Sequence, residues 1–556
     1  MTAAASWSSP RRPTVRVAGT ASCAWKPLRR ASRYRLRRTG PATSPHSTKP
    51  RSPATAKSRA THPRPAAVLN LPRSAARTSR RKADLPSCSL LDSADANRIC
   101  EGLRCTRESF VLGPPPPQEP LSPAIPTPTP GGEDWLTINV WTPDPDPATR
   151  RPVMVWIYGG AYKFGSVDDP AYDPSRLARD GNLVVVTFNH RVGMEGFARI
   201  EGAPANRGLL DQVAALTWVR ENITAFGGDP GQVTVFGESA GAGSIASLLA
   251  MPSARGLFRR AIAQSVPGTF FSDELATDIA TALAGAIGLR PTVSDLLVVD
   301  PHTLPGVGAA LGARMSQYAD RWGPIAHTLT AYSPVVDGEV LPTAPWQALA
   351  DGAAREVELI IGHTRDEYRL LMALGGLLGQ VGEELAAAAL QTFGPGADPG
   401  HAYRAAFPDA PAERLFELVQ SDWLFRMPSL HLAEAQVAGG GRAHLYELTW
   451  AAPANGGAMG ACHSLDIPLV FGTFSGLGGE LIGPAHLDEA DALSGLVRAA
   501  WTSFATTGDP GWPAYDPEHR TTRILDTEPM TTTYPEEASR RLWQDHVFNA
   551  LPLITS

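Results

Sequence analysis

Cysteine is scarce in this chain of 556 residues: there are five, and only Cys462 lies beyond residue 105. No disulfide can close within the body of the chain, which fits a reducing compartment. No Cys and His spacing matches a zinc site. No apolar run is long enough to span a bilayer, and the N-terminus lacks the continuous apolar core of a secretory signal. A cytoplasmic protein without a membrane span is expected. Acidic residues are missing from the first 83 positions, which hold 20 Lys and Arg, and the remainder carries 30 basic against 55 acidic residues. So acidic a body repels phosphates, which argues against nucleic acid as a partner.

The N-terminal stretch also lacks any sustained period of 2 or 3.6. Residues 1–112 are rich in Arg, Ser, Pro, Ala and Thr. Such a composition buries too little apolar surface to offset its ordering entropy. Disorder, or a 5′ end translated out of frame, accounts for the segment; a basic nucleic-acid arm and an organelle transit peptide are the competing readings. "GPPPPQEPLSPAIPTPTPGG" (Gly113–Gly132) reads as an extended Pro-rich linker or loop. The folded domain is expected within residues 113–556.

From Glu133 the pattern turns globular. "WLTINVWTP" alternates like a strand. "RPVMVWIYGG", "GNLVVVTFNH", "QVTVF", "EVELIIGHT" and "RAHLYELTW" are short apolar runs of the kind buried on both faces of a sheet. Between them lie helical patterns such as "EELAAAALQTF", and "GLLDQVAALTWVRENITAFGG", which stops on Gly227-Gly228. Strands alternating with helices predict an α/β fold: a mostly parallel central sheet with helices on both faces.

One string carries chemistry. In "QVTVFGESAGAGSIASLLAMP", Ser239 stands between two glycines where a strand pattern meets a helix pattern. With 52 glycines in the chain, chance alone yields such a G-x-S-x-G string roughly 0.3 times, so context must decide. A sharp strand-to-helix turn would lift the hydroxyl above the carboxyl edge of the sheet. Gly237 and Gly241 would remove Cβ atoms that collide there. The following helix N-terminus would aim N–H groups and a positive dipole end at a developing oxyanion. The alternative is a small residue in a tight turn.

A serine nucleophile needs a base, and the base needs an orienting carboxylate, in the chain order Ser, acid, His for this kind of turn. "IIGHTRDEYRL" supplies Asp366 and Glu367 after a buried strand, and "GACHSLDIPLVFGT" supplies His463. Either acid fits, and a lone loop histidine among 13 is by itself most often a surface residue.

Together these stretches resemble the type-B carboxylesterase family. "EDWLTINVWTP", "PVMVWIYGGAY", "NHRVGMEGF", "NRGLLDQVAALTWVRENITAFGGDPGQVTVFGESAGAGS", "GLFRRAIAQS", "YSPVVDGEVLP", "GHTRDEY", "HSLDIPLVFGT" and "WTSFATTGDPGWPAYDP" follow in the family's order, from Glu133 to about Pro517. The resemblance implies an α/β-hydrolase fold and a serine esterase acting on a small-molecule carboxylic ester, with no cofactor and no metal. It assigns Ser239 as nucleophile, His463 as general base and Glu367 as the triad carboxylate, with Asp366 as local rival. It assigns the backbone N–H groups of Gly160, Ala161 and Ala240 to an oxyanion hole. Gly159 permits the tight path of that loop, and Glu238 is a structural neighbour of the turn. With an unperturbed histidine, activity should fall below about pH 6–7.

Some positions depart from the family. Its opening hairpin is not found in residues 1–112, which predicts an uncovered sheet edge and an incomplete cavity wall. Trp135 stands where many relatives have cysteine, and Tyr368 and Ser464 replace common glycines. "YRLLMALGGLLGQVG" reads as a core-packing helix, with an acyl-pocket wall as the alternative. A catalytically inactive binding protein of esterase fold and an incomplete product are the competing functions; the retention of Ser239, Glu367 and His463 speaks against the first. Oligomeric state is not legible.

Overall fold

The computed structural model describes residues 20–22, 112–120 and 134–555. Apart from Thr20–Ser22 and Leu112, the reading of residues 1–112 as disordered or mistranslated therefore lies outside the described residues, as does the 121–132 part of the Pro-rich stretch.

The apolar runs form strands where the alternation places them. In chain order these are β1 (Thr20–Ser22), β2 (Thr137–Trp141), β3 (Arg151–Ile157), β4 (Val184–Phe188), β5 (Gly228–Glu238), β6 (Arg260–Gln264), β7 (Phe271–Ser272), β8 (Val335–Val336), β9 (Glu358–Thr364), β10 (Arg442–Leu448), β11 (Thr521–Leu525) and β12 (Met530–Thr533). One sheet runs β1-β2-β4-β3-β5-β6-β9-β10-β11-β12, and β7 pairs with β8 apart from it. Pairing is parallel from β4 through β11 and antiparallel at both margins. The backbone of Thr20–Ser22 pairs with Thr137–Asn139, so the edge expected to be bare is covered over three residues.

Both faces of the sheet are buried, and the two-residue period sorts side chains between them. Val153, Val155 and Ile157 of β3 join one apolar cluster with Val184, Val186, Val233, Val235, Leu359 and Ile361. Met154 and Trp156 join the opposite cluster with Val185, Phe236, Ile262 and Ile360. Each fully buried side chain of this size contributes about 1.5–3 kcal/mol relative to exposure, which fixes the register against a one-residue slip.

Helices α1 (Arg207–Asn222), α2 (Ala240–Ala250), α5 (Met427–Ala438) and α6 (Leu487–Thr507) cover the sheet, and α3 (Tyr368–Leu374) and α4 (Ala412–Ser421) pack against each other. Leu209, Leu216 and Val219 of α1 and Met427 and Leu430 of α5 pack on the first face. Leu493, Val497, Trp501 and Phe504 of α6 pack on the second. The glycine stop read after α1 is real: a 3-10 turn carries the chain to Gly227, which takes φ 80°. Among the described residues no helix is long and apolar enough to cross a membrane.

Candidate active site

Strand β5 ends at Glu238 and helix α2 begins at Ala240, so Ser239 is the whole turn. It takes φ 57° and ψ −125°, a conformation that a residue with a Cβ adopts only when its surroundings force it. Two main-chain bonds do so: Ser239 N–H donates to Gln264 O at 2.8 Å, and Gly243 N–H donates to Ser239 O at 2.9 Å. A Cβ on Gly241 would overlap the Ile157 carbonyl oxygen, so the helix can start this close to β3 only with glycine there. The first N–H groups of α2 have no partner within the helix and open toward the serine.

The loop after β3 lies directly against this turn. A Cβ on Gly159 would fall 2.7 Å from Glu238 O and 3.0 Å from Ser239 Cβ. The next residues hold positive φ in succession: 111° at Gly160, 52° at Ala161 and 59° at Tyr162, then 123° at Gly165. This run folds the loop back on itself, and Gly160 O accepts from the N–H groups of Lys163 and Phe164 at 3.0 and 3.1 Å.

His463 and Glu367 meet as read from the sequence. His463 Nδ1 lies 2.6 Å from Glu367 Oε2, and the ring is stacked on Phe425 with centroids 4.2 Å apart. Glu367 is fully buried, and its other oxygen accepts from Ser265 Oγ at 2.6 Å and Thr364 N–H at 2.8 Å. Burial acts to raise this carboxyl, but the His463 charge and these hydrogen bonds outweigh it and hold it below the usual range. Asp366 takes a different task. It accepts from Ala461 N–H at 3.0 Å and Arg414 Nη1 at 2.9 Å, so it anchors the histidine-bearing loop rather than the imidazole.

Sequence reasoning did not name Ser265, and it read Glu238 as a structural neighbour of the turn. His463 Nε2 makes its polar contact in this structure with Glu238 Oε1, at 3.2 Å. Ser464, in place of the common glycine, donates to the same oxygen at 2.7 Å. Burial pushes the His463 ring down, but the Glu238 and Glu367 carboxylates outweigh it and raise the ring to about 9. Burial raises Glu238 to about 7, with His463 pulling it down. The expected loss of activity below pH 6–7 assumed an ordinary histidine, and two buried carboxylates flanking one ring overturn that assumption. Its place inside the G-x-S-x-G string, directly before Ser239, was the only signal available for Glu238.

Ser239, His463, Gly160, Ala161 and Ala240 all line one cavity of about 740 Å³. Its walls include Tyr162, Phe164, Trp423 and Phe425. Tyr368, Leu370, Leu371 and Leu374 line it too, while Met372 and Leu370 also pack in the core, so α3 serves both of the roles that its sequence left open. Among the described residues no cluster of His, Cys, Asp and Glu is arranged to hold a metal ion.

A serine on a strained strand-to-helix turn at the carboxyl edge of a mostly parallel sheet, lining one cavity with a histidine that is bound from behind by a buried carboxylate, defines an α/β-hydrolase. Known proteins narrow this further. The carboxylesterase family model matches residues 99–391. The chain is 38% identical to the para-nitrobenzyl esterase of Bacillus subtilis over 419 residues, covering 74% of this chain and 82% of that protein. It is 32% identical to the phenmedipham hydrolase of Pseudarthrobacter oxydans over 434 residues, covering 76% and 85%. The crystal structure of the Geobacillus stearothermophilus carboxylesterase EST55 superimposes with a TM-score of 0.66 at 35% identity, covering 77% of this chain and 88% of that one. The chain belongs to the carboxylesterase family and is a carboxylic ester hydrolase.

Proposed function

We propose that the chain hydrolyses small, mostly apolar carboxylic esters through a Ser239–His463–Glu367 triad and an acyl-enzyme. The observation that carries this reading is the convergence of three distant segments on one cavity, with the histidine bound to a buried carboxylate on one side and the strained serine nearby. Ser239 Oγ attacks the ester carbonyl carbon as His463 Nε2 takes its proton. Glu367 fixes the tautomer with Nδ1 protonated and stabilises the imidazolium. The N–H groups of Gly160, Ala161 and Ala240 receive the oxyanion, each donor of this kind contributing about 2.7–4 kcal/mol to the barrier reduction. The alcohol leaves with the proton from His463, and water then releases the acid by the reverse sequence.

The raised pKa of His463 adds a condition. Only the neutral ring accepts a proton, so turnover should climb as pH rises from neutrality toward the alkaline side. The apolar walls favour apolar acyl or alcohol groups.

The decisive experiment is Ser239→Ala with a nitrophenyl ester. The hydroxyl is lost with almost no change in volume, so the melting temperature should hold while kcat falls by about 10⁴-fold or more. Turnover within about tenfold of wild type would remove Ser239 from the mechanism.

A further inference from the structure

The Pro-rich stretch read as a linker is bonded, over its described part, to the loop that carries Gly160 and Ala161. Gly165 N–H donates to Gln118 Oε1 at 3.0 Å, and Gln118 Nε2 donates back to Gly165 O at 3.4 Å. Glu119 N–H donates to Lys163 O at 3.0 Å, and its carboxylate lies 3.6 Å from Lys163 Nζ. Asn189 Nδ2 donates to Pro114 O at 3.1 Å, which ties the strap to the end of β4. The fit is close. Glu119 is only 4% exposed, and a Cβ on Gly308 would overlap its carboxylate. Gln118, Glu119 and Pro120 line the active-site cavity themselves.

The loop needs such outside support. It has left-handed residues but no regular element of its own. Its carbonyls find partners elsewhere: Ala161 O accepts from Thr330 Oγ1 at 2.9 Å and Tyr162 O from Gly193 N–H at 2.6 Å. The strap takes Lys163 O and both main-chain groups of Gly165. What the strap fixes reaches the reacting atoms through one peptide plane. Gly160 O accepts from the N–H groups of Lys163 and Phe164 at 3.0 and 3.1 Å. Gly160 C=O and Ala161 N–H share a planar trans peptide and point in opposite directions. Holding residues 163–165 therefore holds Gly160 O, and with it the aim of the Ala161 N–H.

We propose that Gln118 is a positioning residue for the oxyanion loop, setting the direction of the Ala161 N–H from outside the loop. The proposal rests on the reading of Gly160 and Ala161 as oxyanion donors. It assigns the strap a part in rate rather than in substrate affinity, because a misaimed donor costs most where negative charge develops.

The test is Gln118→Met in the full chain, which keeps the side-chain length and removes its hydrogen bonds, with Gln118→Ala beside it. Each protein is assayed well below its own unfolding midpoint. Two readouts are compared: kcat and KM for a nitrophenyl ester, and the affinity for an alkyl trifluoromethyl ketone. That ketone takes Ser239 Oγ at its carbonyl carbon; the serine proton passes to His463 and the carbonyl π pair becomes an oxyanion facing the loop. In Gln118→Met, kcat should fall by about tenfold with KM within about twofold of wild type, and ketone affinity should fall in parallel with kcat. An unchanged kcat overturns the proposal, and so does a reduced kcat with undiminished ketone affinity; both leave the triad reading intact. A wild-type protein that neither turns over the ester nor takes the ketone overturns the triad reading and this proposal with it.

Discussion

On the serine side of the cavity, an 11-residue strand passes into an 11-residue helix with a single residue between them. Ser239 is strained there, yet its restraints come from its own helix and from the neighbouring strand β6. On the histidine side, a loop outside any strand or helix carries His463. That loop is held by side chains from elsewhere: Glu367 on Nδ1, Glu238 on Nε2, Asp366 on Ala461 N–H and Phe425 on the ring face. The loop bearing Gly160 resembles the histidine side, since its carbonyls depend on Thr330, Gly193 and the strap. Regular elements make the turn of Ser239 nearly autonomous. His463 and the loop of Gly160 and Ala161 borrow their precision from distant parts of the chain.

Four substitutions sharpen or break that contrast. The largest effect is expected on the histidine side. Glu367→Gln keeps the shape but favours the wrong tautomer, and kcat should fall by roughly 10³–10⁴-fold, read by steady-state hydrolysis. Its neighbour is the control: Asp366→Asn, which touches a loop rather than the ring, should keep kcat within about tenfold while lowering stability by about 1–3 kcal/mol. Equal losses of kcat in the two variants would erase the distinction between them.

Next comes the serine side. Gly241→Ala drives a Cβ into the Ile157 carbonyl, where backbone meets backbone and neither can yield. The loss should be about 2–4 kcal/mol of stability by urea unfolding. A neutral substitution would mean that the turn is not the rigid element described above.

The smallest effect concerns pH. The flanking carboxylates stabilise the charged imidazole, so His463 stands raised, to about 9. The neutral base is therefore lost as pH falls through that value, and the acid limb of kcat/KM should lie above the ordinary histidine range. Glu238→Gln removes one of the two charges, stabilises the imidazolium less and should move the limb to lower pH. The same shift enters stability with opposite benefit. A raised folded-state pKa contributes stability that is full below about pH 6.5 and is lost as pH rises toward the folded value. A limb that stays in place in Glu238→Gln would dismiss Glu238 as a neighbour without influence.

Much of this arrangement is legible along the chain because it is local. Continuous apolar runs rich in valine name β3, β4 and β5, since strands buried on both faces accept little else. The glycines around Ser239 name the turn, since backbone contact leaves no room for a Cβ. Two features were not legible for a shared reason. Proline content marked Gly113–Gly132 as a linker or loop, but composition does not report whether Gln118 meets Gly165 from 47 residues away. The stretch of α3 was left between packed core and cavity wall, because its apolar residues alone do not separate the two.

By itself the sequence determined the elements, the α/β layering and the serine turn, because propensity, apolar period and glycine sterics act over a few residues. The residues themselves left Glu367 and Asp366 both open, and family resemblance favoured Glu367; it is the tertiary structure that brings Glu367 to the imidazole. It alone set Glu238 beside Nε2 and tied the strap to the loop it faces. Those choices depend on hydrogen bonds and fields between atoms that become neighbours only after the sheet has formed. Their strength also requires the burial that folding creates.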